Sequence, residues 1–234
     1  MSTTTGTATA ADLDEAAARA EFAERYGSPD LGPVCVVIAA YREAGTVGPV
    51  VASLPVEVDG LRVSSHVVDD GSDDGTAELA RAAGAYVCTL PANRGQGTAL
   101  RLGYRVATQH GARYLVTTDA DGQYDPREIP GLVRPVIAGD ADFVSGSRVL
   151  GSAYRGDRLR RLGVTFYAFA IRLATSTRIT DPSFGQRAMR AEVPAHVTLR
   201  QPQFQASELL IGAAMQGYRI AERPGTIGSR AAGV

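Results

Sequence analysis

Val34-Cys35-Val36-Val37-Ile38-Ala39 is an unbroken apolar run dominated by β-branched residues, with no polar alternation in it. A strand of this kind has no face for water, so it predicts a place inside a parallel sheet covered on both sides. Working outward, further strands are predicted at Val63–Val68, Tyr86–Leu90, Tyr114–Thr118 and Phe143–Ser145. Helix-like stretches alternate with them at Thr46–Ser53, Thr76–Ala83, Thr98–His110 and Arg127–Ile137. Strands alternating with helices make βαβ units, and these pack as a mostly parallel, doubly wound α/β sheet with helices on both faces. Before the first strand, the Ala- and Glu-rich stretch Ala11–Tyr26 predicts a helix stopped by Gly27-Ser28-Pro29 and read as an appendage. The organisation expected is a flexible start and helical appendage over residues 1–30 and a single domain over 31–234.

The 234 residues, 44% hydrophobic and 21% charged with net charge −1, have the composition of a globular domain, which argues against a disordered chain and an electrostatic nucleic-acid binder. Every basic residue is Arg and none is Lys, so the position of an Arg is informative where the number is not. Cys35 and Cys88 sit in apolar runs without metal-ligand spacing, which predicts buried thiols in a reducing compartment rather than a zinc site or a disulfide. The Thr- and Ala-rich Met1–Ala10 lacks the basic and apolar parts of a secretion signal. The longest apolar stretches, Val34–Tyr41 and Val164–Ile171, fall short of the roughly 18 residues that span a bilayer, so any membrane contact would be peripheral. His66, His110 and His196 have no triad partners and read as structural.

In an open parallel sheet, ligands bind outside the carboxyl ends of the strands, so the loops after each strand carry the functional reading. The strongest is Asp119-Ala120-Asp121-Gly122-Gln123, directly after Tyr114–Thr118. In extended backbone, residues i, i+2 and i+4 point the same way, bringing two carboxylates and an amide oxygen together. Hard oxygen ligands of this kind suit Mg²⁺ or Mn²⁺, and a solvated acidic turn is the plain alternative. The second is Val68-Asp69-Asp70-Gly71-Ser72-Asp73-Asp74-Gly75-Thr76, where helix capping accounts for Asp73 and Asp74 and leaves Asp69 and Asp70 to accept hydrogen bonds from a base or ribose. Asn93-Arg94-Gly95-Gln96-Gly97 opens the next helix, but Leu100 stands where a dinucleotide fingerprint needs its third Gly.

Taken in order, Tyr41-x-Glu43, the Asp69–Thr76 segment, Asn93-x-Gly95-x-Gly97 and Asp119-Ala120-Asp121 resemble the family 2 glycosyltransferases of GT-A fold over roughly Val34–Arg223. Gln123, Ser145-Gly146-Ser147-Arg148 and Asp181-Pro182-Ser183-Phe184-Gly185-Gln186-Arg187 are similar to the polyprenyl-phosphate mannosyl- and glucosyltransferase branch. The resemblance implies a nucleotide-binding amino-terminal half and an acceptor-binding carboxyl-terminal half. Ala40, Tyr41, Glu43, Asp69, Asp70, Gly97, Asp119 and Ala120 would bind the nucleotide sugar, a UDP- or GDP-hexose. Asp119, Asp121 and Gln123 would hold Mg²⁺ or Mn²⁺ on the diphosphate, stabilising the charge that the leaving group gains. Asp121, Glu208, Arg148 and Arg187 would carry the catalytic roles, Arg148 and Arg187 as guanidinium forks on phosphate.

The sequence departs from that pattern at Ala40 and Arg42 around Tyr41, at Gln96 where Lys is usual between the glycines, and at Phe184 and Gln186. The expected reaction is a metal-dependent, inverting hexosyl transfer to a polyprenyl phosphate. A dianionic phosphate acceptor needs no base, whereas a hydroxyl would need one, and the resemblance implies Glu208 for it, where the family places an acidic residue near the acceptor. Transfer to a soluble sugar or natural-product hydroxyl, and a non-catalytic nucleotide-binding partner subunit, stay open alongside. Arg155–Leu162 followed by Val164–Ile171 reads as a core helix with a solvated basic end or as an interfacial helix. The expected location is the cytoplasm, with contact at the inner face of the cell membrane under the interfacial reading.

Overall fold

The computed structural model describes residues 9–151, 179–197 and 205–229. Along these residues the chain forms α1 (Ala10–Tyr26), β1 (Val34–Ala40), α2 (Val47–Ala52), β2 (Glu57–Val58), β3 (Leu61–Asp69), α3 (Thr76–Ala82), β4 (Tyr86–Thr89), α4 (Gln96–Gln109) and β5 (Tyr114–Asp119). A 3₁₀ turn at Pro126–Glu128 leads into α5 (Ile129–Ile137), β6 (Phe143–Ser147), β7 (Arg187–Arg190), α6 (Val193–His196), α7 (Gln205–Met215) and β8 (Ile220–Pro224). The segment Arg155–Ile171 lies outside the described residues.

The strands form one sheet in the order β2-β3-β1-β5-β7-β6-β8, with β4 paired to β3. β1 is parallel to β3 and to β5, and β3 is parallel to β4. β7 runs antiparallel between β5 and β6, and β8 lies parallel on β6. The expected doubly wound sheet is therefore present, interrupted by the reversed β7 and edged by the short antiparallel β2.

β1 is buried along almost its whole length, as its unalternating sequence requires. Its side chains feed two cores in turn. Cys35 and Val37, with Val68, Leu115 and Phe143, meet α1, α4 and α7 on one face. Val34, Val36 and Ile38, with Val67, Val116 and Val144, meet α2, α3 and α5 on the other. α4 approaches closely through Gly103, where a Cβ would stand 2.4 Å from Val37 Cγ1.

The first helix is built into the fold rather than appended to it. Phe22 is buried, with its ring 5.4 Å from that of His66 and 5.5 Å from that of His110. Tyr26 packs edge-on against Tyr86, and its hydroxyl accepts the Val87 N–H at 3.2 Å. Cys35 and Cys88 are buried thiols in the same core, each pushed up to about 12 by burial. No described helix is long and apolar enough to cross a membrane.

Candidate active site

Strand register aligns the ends that matter. Ala40 is paired with Asp69 and Ala39 with Asp119, so the small end of β1 lies between the acidic ends of β3 and β5. This is the point where the strand order turns outward in both directions from β1, and loops leaving it diverge around a crevice. A cleft of about 310 Å³ opens there, lined by Ala39, Ala40, Tyr41, Glu43, Asp70, Asn93, Gly95, Gln96, Asp119, Ala120 and Asp121.

Two loops clasp to form one wall. The Arg42 and Glu43 N–H groups donate to the Ser72 and Thr76 hydroxyls at 2.9 Å each, and the Ala44 N–H donates to Asp74 at 3.2 Å. Asp74 also accepts the Thr76 N–H, as a helix-opening acid should, while Asp73 holds the Arg42 guanidinium through both oxygens. The Thr46 hydroxyl donates to the Glu43 carboxylate at 2.7 Å. Tyr41 is exposed on the rim, with the Arg42 guanidinium 5.5 Å from its ring.

Asp70 is buried and braces the glycine loop, accepting the Arg94 N–H at 2.7 Å and the Gly95 N–H at 2.8 Å. Burial raises the Asp70 carboxyl above its ordinary range against the pull of those two donors. Asp69 sits deeper, accepting the Ser72 N–H, and its carboxyl is likewise raised by burial. Asp69 does not line the cleft, nor does Gly97, which is buried in the first turn of α4.

Asp119 is the most perturbed of the cleft acids, pushed up to about 6 by burial and then by the neighbouring Asp121 charge. The Gln96 amide donates to it at 3.1 Å, so the residue that stands in place of the usual Lys contacts the acid itself. Gly185 packs directly beside it: a Cβ there would lie 3.2 Å from Asp119 Oδ2 and 2.7 Å from the Tyr124 hydroxyl, which accepts the Gly185 N–H at 2.9 Å. Sequence reasoning passed over Gln96, Asn93, Tyr124 and Gly185 as site residues, although the Asn93–Gly97 and Asp181–Arg187 motifs contained all but Tyr124.

The extended arrangement expected for Asp119-Ala120-Asp121-Gly122-Gln123 is not adopted. β5 ends at Asp119 and the chain turns, with Gly122 at φ 73°. Asp121 accepts the Gln123 N–H, and the Gln123 amide nitrogen donates to the Gly228 carbonyl, joining a strap in which the Gly228 N–H donates to the Gln123 carbonyl at 2.8 Å. Of this motif, Asp119 and Asp121 thus line the cleft, without Gln123 beside them on a strand.

The two arginines expected to grip phosphate are engaged elsewhere. Arg187 is 2% exposed, its guanidinium donating to the carbonyls of Phe184, Pro182 and Ala206. Burial lowers its pKa to about 10, and it ties β7 to the start of α7. Arg148 forms a two-pronged pair with the buried Asp181 at 2.7 and 2.8 Å and donates to the Ser183 hydroxyl. Burial opposes ionisation of Asp181, yet the Arg148 fork wins and holds its carboxyl below the usual range. Both cations organise the Asp181–Arg187 segment rather than presenting a fork to the cleft. Glu208 lies in the first turn of α7 and does not line the cleft.

A mostly parallel α/β sheet with a polar cleft at its acidic strand ends and a reversed strand between β5 and β6 is the architecture of the GT-A glycosyltransferases. Residues 35–197 match the sequence model described as glycosyl transferase family 2, and the chain belongs to that family. It is 32% identical over 191 residues to the dolichyl-phosphate hexose transferase of Haloferax volcanii, covering 82% of this chain and 81% of that one. It is 31% identical over 221 residues to the undecaprenyl-phosphate mannosyltransferase of Micrococcus luteus, covering 86% and 85%. Among solved structures it is similar to glucosyl-3-phosphoglycerate synthase from Mycobacterium tuberculosis in complex with Mn²⁺, UDP-glucose and phosphoglyceric acid. That match has a TM-score of 0.66 at 25% identity and covers 97% of this chain and 78% of the other. The chain is a family 2 glycosyltransferase, and its relatives place it with the polyprenyl-phosphate branch.

Proposed function

We propose that this glycosyltransferase moves a hexose, with inversion, from a nucleoside-diphosphate sugar to a polyprenyl phosphate, using Mg²⁺ or Mn²⁺. The observation that carries the reading is the pair Asp119 and Asp121 on a cleft rimmed by Tyr41, Glu43 and Asp70. Asp119, whose proton affinity is raised by burial and by the neighbouring Asp121 charge, stands with Asp121 as a pair of hard oxygen ligands that would suit a divalent cation carrying the donor diphosphate. The solved relative bound to Mn²⁺ and UDP-glucose supports the same assignment. The metal supplies Lewis-acid stabilisation of the departing diphosphate.

The chain's own residues then have separable tasks. Ala40, Tyr41, Glu43 and Asp70 frame the nucleoside, and the small side chains of Ala39, Ala40 and Ala120 leave room for it above the strand ends. Asp119 and Asp121 hold the cation, and Gln96 orients Asp119. Arg148 and Arg187 position the floor that carries Gly185. A phosphate monoester with a second pKa near about 6 is already a dianion at neutral pH, so it attacks without a base. Glu208, off the cleft, then orients the acceptor side or excludes water. The names of the sequence relatives favour the lipid-phosphate acceptor. A phosphorylated soluble acceptor is the second reading, favoured by the phosphoglyceric acid in the solved relative.

The deciding experiment incubates the purified chain with radiolabelled UDP-glucose or GDP-mannose, with Mn²⁺ or EDTA, and with undecaprenyl phosphate in detergent micelles or phosphoglyceric acid. Metal-dependent label in the organic phase is expected. Label only in a water-soluble phosphorylated product would move the acceptor to the second reading, and metal-independent transfer would remove the cation from the mechanism. A lipid acceptor would bring the chain to the membrane surface as a peripheral protein, at the cytoplasmic face.

A further inference from the structure

α1 precedes residues 35–197, the stretch that matches the family model. It runs antiparallel to β4: Tyr26 meets Tyr86 and Val87 at one end, and the Cys88 thiol donates to the Ala18 carbonyl at mid-length. At 17 residues it is about 25 Å long, matching the span of β1, so its first turns stand level with the carboxyl ends of the strands. There the helix start is locked by reciprocal Thr9 and Asp12 hydrogen bonds. One turn on, Asp14 takes the guanidinium of Arg94 through Nε at 2.6 Å and Nη2 at 2.5 Å. Arg94 belongs to the glycine loop whose backbone Asp70 braces and whose Asn93, Gly95 and Gln96 line the cleft.

We infer that Asp14 is a positioning residue for the donor site: through Arg94 it holds the outer side of the Asn93–Gln96 loop, while Asp70 holds the inner side. Both anchors act on the same residue. The Asp70 oxygens fix the Arg94 and Gly95 amides, and the Asp14 pair fixes the Arg94 side chain, so the loop is gripped across its backbone. The pair is partly shielded, with side-chain exposures of 34% and 20%, which places it above a fully solvated surface contact. Neighbouring Glu15 pairs instead with Arg105 at 2.7 Å, on the body of α4 and away from the loop. It therefore separates loop positioning from general docking of the helix.

The inference deepens the proposed function and rests on it for its meaning, but part of its test does not. Amide hydrogen exchange is compared across peptides containing Arg94 and Gly95 in the wild type, Asp14→Ala, Arg94→Ala, the double variant and Glu15→Ala. Exchange in the loop should rise about fivefold in the two single variants and no further in the double, with Glu15→Ala unchanged. Calorimetric titration of the same proteins with UDP and GDP in Mn²⁺ should show a Kd raised threefold to tenfold by Asp14→Ala. In turnover, KM for the donor should rise while kcat stays within twofold. Unchanged exchange, an equal rise in Glu15→Ala, or tighter nucleotide binding once Arg94 is released would each overturn the inference. If the wild type binds neither nucleotide, the donor assignment fails, and the exchange data still decide whether Asp14 fixes the loop.

Discussion

At the scale of single residues, Asp119 shows how a site opposes the fold that carries it. Its carboxyl is raised to about 6, so the fold favours the protonated form, and that contribution is present below about pH 4 and lost as pH rises through about 6. Metal-free protein at pH 7.5 should therefore gain about 1–2 kcal/mol from Asp119→Asn, the shift being discounted for the partial exposure of the group. Denaturation followed at pH 7.5 and pH 4.5 checks this, since the advantage should shrink to about a third at the lower pH. The same variant should lose at least about 100-fold in turnover if Asp119 holds the cation. Gly185 gives a second expectation at this scale. Gly185→Ala places a methyl against the Tyr124 hydroxyl and Asp119 Oδ2, and should cut activity by about tenfold or more. Adding Tyr124→Phe removes the nearer clash, and partial recovery of kcat in the double variant is the outcome to look for.

The place of Asp119 and Asp121 on the cleft was legible in the sequence, because they follow an apolar strand directly and ligands bind beyond strand ends. The arginines were not. A guanidinium grips phosphate or braces a loop according to its tertiary neighbours, and those of Arg148 and Arg187 are Asp181 and the carbonyls of Pro182, Phe184 and Ala206.

At the scale of elements, β1, β3, β4, β5 and β6 lie within a residue or two of their expected spans, because long apolar runs bounded by turns admit few alternatives. β7 was missed for a physical reason: Arg187-Ala188-Met189-Arg190 is short, ends in two cations and owes its strand form to the neighbours it joins. α1, expected as an appendage, is docked on the sheet through the buried Ala18 and Phe22. Beneath that helix, His66 is fully buried, its Nδ1–H donating to the Tyr86 carbonyl and its Nε2 without a hydrogen-bond partner. Burial lowers its pKa to about 4, an effect reinforced by His110 and opposed by the Tyr86 contact. The neutral ring is the one that folds, so its contribution is whole above about pH 6.5 and lost as pH falls through about 4. Up to about 3 kcal/mol of unfolding free energy should disappear between pH 7 and pH 4 from this ring alone. Urea titrations across that range should show a shallower decline for His66→Gln, and parallel curves would refute the assignment.

At the scale of the whole molecule, the cleft joins loops from β1, β3, β4 and β5, so a ligand that fills it stabilises the sheet as a unit. Nucleotide with Mn²⁺ at about 100 times Kd should add about 2.7 kcal/mol, or about 5–10 °C in Tm for a chain of this size. Differential scanning calorimetry with UDP, GDP, Mn²⁺ and EDTA tests it, and the rise should be absent in Asp119→Asn.

The reversed strand also bears on how the protein is made. β5 is complete by residue 119, but the partner that covers its free edge spans residues 187–190 and covers one edge of β6 at the same moment, the other edge waiting for β8. A ribosome delivering about 5–20 residues per second leaves that edge open for several seconds, a template for wrong pairing until Arg187–Arg190 arrives. The amino-terminal βαβ units can condense early from local contacts, whereas the second half of the sheet waits for β7 and then β8. Fragments ending before residue 187 should accordingly aggregate on expression, because two strands then wait for the four residues that join them.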